Sequence, residues 1–162
     1  MLISIWWLYD PSKILYIAFL ASVASATADT WATEIGIYSK IAPRNCISFR
    51  KLKPSVSGGV TLFGTIASLL GAWIISLSAQ FFQSSAQALL VLLAGFTGSI
   101  LDSIIGATVQ AIYVCNKCGK RTERSQHCGN STALESGNKT INNDMVNLLC
   151  TLSGATIVIL IS

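Results

Sequence analysis

Charge is scarce in this sequence. Only 11% of its 162 residues are Asp, Glu, Lys or Arg, against roughly 25% in soluble domains. A soluble fold of this size stays dispersed through a charged exterior, and this chain cannot build one. Histidine is almost absent: His127 is the only one, so no His-based catalytic machinery is expected. The five cysteines are odd in number and follow no regular framework, which excludes a disulfide scaffold. The net charge of +4 is too small to point to nucleic acid, but it suits a membrane protein with basic loops on one side.

What the chain has instead is apolar sequence, 52% of it, gathered in blocks that point to lipid as the solvent. The blocks predict an all-α fold, a polytopic transmembrane helical bundle with four spans near residues 14–38, 59–82, 86–114 and 145–161. Each approaches the length that crosses a hydrocarbon core of about 30 Å. Met1 to Tyr9 is a separate Trp-rich run, and Asp10-Pro11-Ser12 reads as a helix start. The loop 40–57 carries Lys40, Arg44, Arg50, Lys51 and Lys53. The loop 115–142 carries Lys117, Lys120, Arg121, Arg124 and Lys139 against Glu123 and Glu135, while 80–86 carries no charge. That alternation predicts one multi-pass membrane domain with both basic loops in the cytoplasm. Asn130-Ser131-Thr132 and Asn138-Lys139-Thr140 match the glycosylation pattern, which has no meaning in a cytoplasmic loop.

Acidic groups inside or beside spans are costly and therefore candidates for function. Asp29, Glu34, Asp102 and Asp144 occupy such places. Gly95, Ser99, Asp102, Gly106 and Gln110 recur at steps of three and four, which puts them on one small, polar helical face. Asp102 on that face is either a packing residue or a ligand for a cation. Ser22, Ser25 and Asp29 form a similar stripe. Glu34 reads equally well as a functional acid or as the ion-pair partner of Lys40 or a loop arginine at a solvated helix end. Ser57-Gly58-Gly59 opens the second span, where free backbone N–H groups suit a phosphate. Arg44, Arg50 and Lys51 precede it and would clamp that phosphate or simply set topology. Asn142-Asn143-Asp144 and Asn147 open the fourth span with more amides than an N-cap needs. In this topology these residues fall near one membrane side. A weak echo also links Gly64–Ala72 with Gly98–Ala107.

Cys115-x-x-Cys118 followed by His127-Cys128 has the residue types of a tetrahedral Zn²⁺ site. In a reducing cytoplasm a metal is favoured over a disulfide there. Free thiols in a loop are the alternative.

Ala28-Asp29-Thr30-Trp31-Ala32-Thr33-Glu34-Ile35-Gly36 is similar to the signature of an integral membrane family catalogued as domain of unknown function ninety-two, which includes animal transmembrane protein nineteen and plant phytyl-phosphate kinase. Ordered later stretches agree: Ser39-Lys40 with Pro43-Arg44, Gly58-Gly59-Val60 with Gly64, Gly98-Ser99 through Asp102-Ser103 and Gly106-Ala107-Thr108 to Gln110, and Asn142-Asn143-Asp144 with Val146-Asn147-Leu148. The cysteine loop looks like the bacterial branch. Where the family usually reads Pro-Gly-Thr-Asn-Gly-Gly, this chain reads Pro54-Ser55-Val56-Ser57-Gly58-Gly59. The family usually carries further spans upstream, so the resemblance implies an N-terminally shortened member. It also implies transfer of phosphate from a nucleoside triphosphate, CTP being the associated donor, to an isoprenoid or phytyl monophosphate. In that reading Asp29, Asp102 and Asp144 hold Mg²⁺, Asn143 and Asn147 orient phosphates, and Glu34 completes the catalytic set. Arg44, Arg50 and Lys51 neutralise phosphate charge, and Gly58 and Gly59 offer backbone amides. The partners expected are the bilayer, a lipid phosphate and a nucleotide. The rival readings are a carrier and a structural membrane protein whose acids knit helices.

Overall fold

The computed structural model describes residues 2–9, 11–52, 56–82 and 84–162; Asp10, Lys53, Pro54 and Ser55 from the readings above lie outside them. Five helices run α1 Leu2–Tyr9, α2 Lys13–Gly36, α3 Leu62–Phe82, α4 Ser85–Thr108 and α5 Asn143–Ile161. The last four are long and apolar enough to cross a membrane. Their starts are set by capping. Ser12, Ser84 and Asn142 each accept a backbone N–H from the first turn of the helix that follows, and Ser84 and Gln87 complete a capping box. The short α1 packs on the beginning of α2, with Trp7 against Tyr16 at 6.3 Å between ring centroids.

The polypeptide alternates direction through α2, α3, α4 and α5. Residues 37–52, 56–61 and 109–142 therefore share one end of the bundle, and the end of α3 and start of α4 lie at the other. α2 is the hub and packs against α3, α4 and α5. Its contacts are backbone-close because small residues face each other, which is how helices associate in lipid. A Cβ on Gly95 would come within 2.6 Å of Ala24, and one on Gly64 within 2.7 Å of the Ala32 carbonyl oxygen. Ser25, fully buried, turns its hydroxyl back to the Ala21 carbonyl at 3.0 Å. It sits where α2, α4 and α5 meet, against Gly98 and Gly154. Between α3 and α4 the Ser68 hydroxyl donates to that of Ser99 at 3.0 Å. Leu, Ile, Phe and Trp side chains such as Leu70, Trp73, Leu93 and Leu152 are left exposed on the outside, the face that meets lipid.

Three expectations are corrected. The fold is not purely α. Arg44–Asn45 (β1) pairs with Gly59–Val60 (β2), and Ile112–Cys115 (β3), Arg121–Thr122 (β4), Gln126–His127 (β5) and Asn130–Ser136 (β6) make a four-stranded antiparallel sheet in the order β4-β3-β6-β5. The third span also stops at Thr108 rather than 114, because Ile112-Tyr113-Val114 is β-branched and aromatic and pairs with β6. The second span, α3, starts at Leu62 rather than 59, since Gly59 and Val60 are already in β2.

Gly154→Ala tests the seam. The added Cβ would run into the Ser25 hydroxyl and come within 2.8 Å of the Ala21 carbonyl oxygen. Overpacking of this kind costs about 1–3 kcal/mol, so the thermal midpoint in detergent should fall. The exposed Thr156→Val on the same helix should leave it within a degree or two, about the scale of a neutral surface change.

Candidate functional site

Asp29 lies on the last two turns of α2 and Asp102 on the last two turns of α4, both at the end of the bundle that carries the sheet. The helix packing turns them toward each other, and their carboxyl groups come within hydrogen-bonding reach. Both are partly buried, and Asp102 Oδ1 is fully enclosed without a hydrogen-bond partner. Among the described residues the one ion pair is the exposed Arg121–Glu135 at 2.6 Å, so no described cation is paired with either aspartate. A partly buried carboxyl pair with one enclosed oxygen favours a cation or a shared proton beside it.

Gln110 closes the site from the sheet side. It is 2% exposed, just beyond α4, and its Oε1 accepts the Ser57 hydroxyl at 2.7 Å. Ser57 stands where the resemblance has asparagine, so the hydroxyl supplies a polar contact from the loop to α4. The Gln110 amide also faces Glu123, without a hydrogen bond of standard geometry at Nε2. Burial raises the Glu123 carboxyl above its usual range, and the Gln110 amide offsets part of that rise. Glu123 is close enough to Asp102 to act on it electrostatically. It is thus a third carboxylate at the site, and the sequence reading had treated it only as loop charge.

The basic residues sit on a small hairpin beside this group. Asn45 Oδ1 accepts the N–H groups of Ile47 and Ser48, and Arg44 donates from Nη1 to the Phe49 carbonyl at 2.9 Å. The Cys46 thiol donates to the Ser103 carbonyl at 3.2 Å, which ties the hairpin to α4 one residue from Asp102. Burial raises that thiol, and a backbone hydrogen bond offsets part of the rise. Arg44, Arg50 and Lys51 remain exposed. Gly58 and Gly59 do not form a helix N-terminus. Gly58, at φ 73°, presses on Ala107, and the Gly59 N–H donates to the Val56 carbonyl at 3.3 Å. The Gly59 amide is therefore already taken. Glu34, Asn143, Asp144 and Asn147 are at the same end, but their side chains are exposed and make no hydrogen bond or ion pair among the described residues. The capping role falls to Asn142, which accepts the Met145 N–H at 2.9 Å.

A second cluster lies on the sheet. Cys115, Cys118, His127 and Cys128 bring their ligand atoms within 4.8 Å of one another, an arrangement that could hold a metal ion. The Cys118 backbone N–H, with help from the His127 side chain, pushes the Cys115 thiol down to about 6. Cys128 is pushed up to about 11, first by its hydrogen bond to Cys118 and then by burial. An apolar cleft of about 370 Å³ opens between α1 and α2, lined by Trp7, Leu8, Tyr16 and Phe19 among others. Phe19 precedes Asp29 by about 15 Å along the helix, so the cleft is remote from both clusters.

With the carboxylates, the basic hairpin and the cysteine cluster in place, the comparisons with known proteins are decisive on family. The chain matches the model described as "Integral membrane protein DUF92" over residues 1–155. The chain belongs to that family. Among curated members it is similar to "Uncharacterized membrane protein MJ0933" of Methanocaldococcus jannaschii, 30% identical over 146 residues, which is 90% of this chain and 50% of that protein. It is also similar to "Protein PGR" of Arabidopsis thaliana, 34% identical over 106 residues, 57% of this chain and 37% of that protein. The chain thus spans half or less of the length of these DUF92 relatives. No solved structure matches it. Membership agrees with the four apolar helices and makes this a multi-pass membrane protein in contact with the bilayer.

The crowding of Asp29 and Asp102 has a measurable cost. In chelator, Asp102→Asn should be at least as stable as the parent, with a midpoint higher by a few degrees, the scale of about 1 kcal/mol. Thermal unfolding of the detergent-solubilised protein in chelator checks this.

Proposed function

We propose that this chain carries the phosphoryl-transfer site of a membrane kinase that converts an isoprenoid or phytyl monophosphate to the diphosphate, with a nucleoside triphosphate, CTP foremost, as donor. The observation that carries the reading is the Asp29–Asp102 pair, unaccompanied by any described cation, with its enclosed and unpartnered Asp102 Oδ1. Mg²⁺ suits that pair. It takes oxygen ligands, commonly one or two carboxylates, and leaves its other positions to water and phosphate. Asp29 and Asp102 would hold it, with Glu123 next to them. When bound, the ion would neutralise charge on the transferring phosphoryl group.

The remaining roles belong to the protein's own groups. Phosphoryl transfer requires little beyond positioning and charge stabilisation. The terminal phosphate of the donor passes to an oxygen of the lipid monophosphate, and the nucleoside diphosphate leaves. Arg44, Arg50 and Lys51, on the hairpin tethered to α4 through Cys46, would draw the phosphates to the bundle end and screen their mutual repulsion. Gln110, its orientation set by Ser57, would keep Glu123 turned toward the pair. Asn143, Asp144, Asn147 and Glu34 are exposed at the same end and would meet the donor only at its periphery. Both basic loops share that end, which supports a cytoplasmic site under the positive-inside rule. A cytoplasmic site is also where the nucleotide is.

The test is transfer of labelled phosphate from CTP or ATP to phytyl monophosphate, in membranes containing the chain or its Asp102→Asn variant. Transfer should appear with the parent and fall about 10²–10³-fold in the variant, the scale of losing one preorganised electrostatic group. Its absence from both this chain and the full-length archaeal relative would overturn the kinase reading in favour of a carrier.

A further inference from the structure

We propose that residues 115–128 form a structural zinc centre, with Cys115, Cys118, His127 and Cys128 as its four ligands, and that this centre holds in place the loop carrying Glu123. The zinc assignment stands apart from the kinase reading; only the use of Glu123 rests on it.

The distances are those of a tetrahedral site. Zn–S bonds of about 2.3 Å and Zn–N bonds of about 2.0–2.1 Å imply S···S edges of about 3.8 Å and S···N edges of about 3.6 Å. Cys118 and Cys128 Sγ are 3.8 Å apart, and His127 Nδ1 lies 3.5 Å from Cys118 Sγ and 3.2 Å from Cys128 Sγ. The whole set spans no more than 4.8 Å. Three sulfurs and one imidazole nitrogen in that geometry suit zinc.

The backbone is arranged around those atoms. In the first half the Gly119 N–H donates to the Cys115 carbonyl at 2.8 Å and the Cys115 N–H to the Lys120 carbonyl at 3.0 Å. Gly119, at φ 66°, lets the chain turn sharply beneath the two thiols. In the second half His127 pairs with Asn130 across a two-residue turn, and both turn residues, Cys128 (φ 55°) and Gly129 (φ 77°), are left-handed. A turn of that kind prefers Asn, Asp or Gly in both places, and a left-handed backbone disfavours a cysteine there. The fold accepts that cost where it gains a thiol aimed at Cys118 and His127.

The sheet also lacks a hydrophobic core. Of residues 112–141, Cys115 is the one buried residue, and β4 and β5 are two residues long. Small units without a core depend on a staple, commonly a metal. A Cys118–Cys128 disulfide would leave Cys115 and His127 converging on nothing. The staple is mechanically placed, because Glu123 lies between Cys118 and His127, the two halves of the ligand set.

The experiment is metal analysis of the full chain purified in detergent without chelator. About one equivalent of zinc per chain is expected, falling to near zero in the double variant Cys118→Ser/Cys128→Ser and unchanged in Cys46→Ser and Glu123→Gln. If the double variant does not fold, Co²⁺ replacement in the parent decides, because a thiolate-rich tetrahedral site gives intense sulfur-to-cobalt charge-transfer absorption. Chelation should speed tryptic cleavage at Lys120, Arg121 and Arg124 by at least about tenfold if the metal staples the loop. Trace zinc with no cobalt–thiolate absorption, a Cys118–Cys128 disulfide in the purified protein, or cleavage indifferent to chelation would each overturn the proposal. Zinc with no phosphoryl transfer from either this chain or the full-length archaeal relative would sink the kinase and leave this centre standing; transfer without zinc would do the reverse.

Discussion

In a bilayer the hydrophobic effect does not press one helix against another, because lipid is as apolar as leucine. The bundle therefore depends on close backbone contact around Ser25, where α2 meets Gly98 of α4 and Gly154 of α5. The Ser25 hydroxyl is satisfied within its own helix, so it can be enclosed at little cost and the partner glycines can close over it. The same approach recurs along α2 at Ala24, Ala28 and Ala32. It brings the later turns of α2 and α4 together, and with them Asp29 and Asp102. The carboxylate site is thus a consequence of the small-residue seam: helices held further apart would leave each aspartate alone.

The same close packing sets two partly buried carboxyls side by side with no described cation paired to either, so charge on one disfavours charge on the other. The groups around the pair are anchored through contacts between distant parts of the chain. Ser57 reaches Gln110, and Cys46 reaches Ser103. Cys46 and Ser57 are thereby fixed on the end of α4.

The sheet follows a different physical rule. It stands outside the span-forming helices, with almost nothing buried, so neither lipid nor a hydrophobic core can stabilise it. Its order rests on backbone pairing and on whatever the cysteine and histidine side chains hold. Glu123 connects the two regions: it belongs to the sheet by sequence and to the carboxylate group by position.

Much of this was legible in the amino-acid sequence. Block hydropathy sufficed for the four spans, since a helix in lipid must be apolar over its whole length. The family was legible in ordered motifs, and Asp102 in a small, polar stripe that apolar spans do not carry without reason. Gln110 was read on that stripe too, although it lies beyond the helix end. Other features required the tertiary structure. That Asp29 faces Asp102 depends on the mutual rotation of α2 and α4, which no local pattern encodes. Glu123 enters the site only because the strand pairing folds a polar loop back onto α4. Gly59 looked like a free amide donor until a turn occupied it, and Asn143, Asp144 and Asn147 were near the site by chain position yet face outward. Sequence alone determined which residues belong in lipid and at which end the polar ones gather, because transfer between water and hydrocarbon is a property of each side chain. Tertiary structure decided which of those polar residues meet, because that depends on distances between segments far apart in the chain.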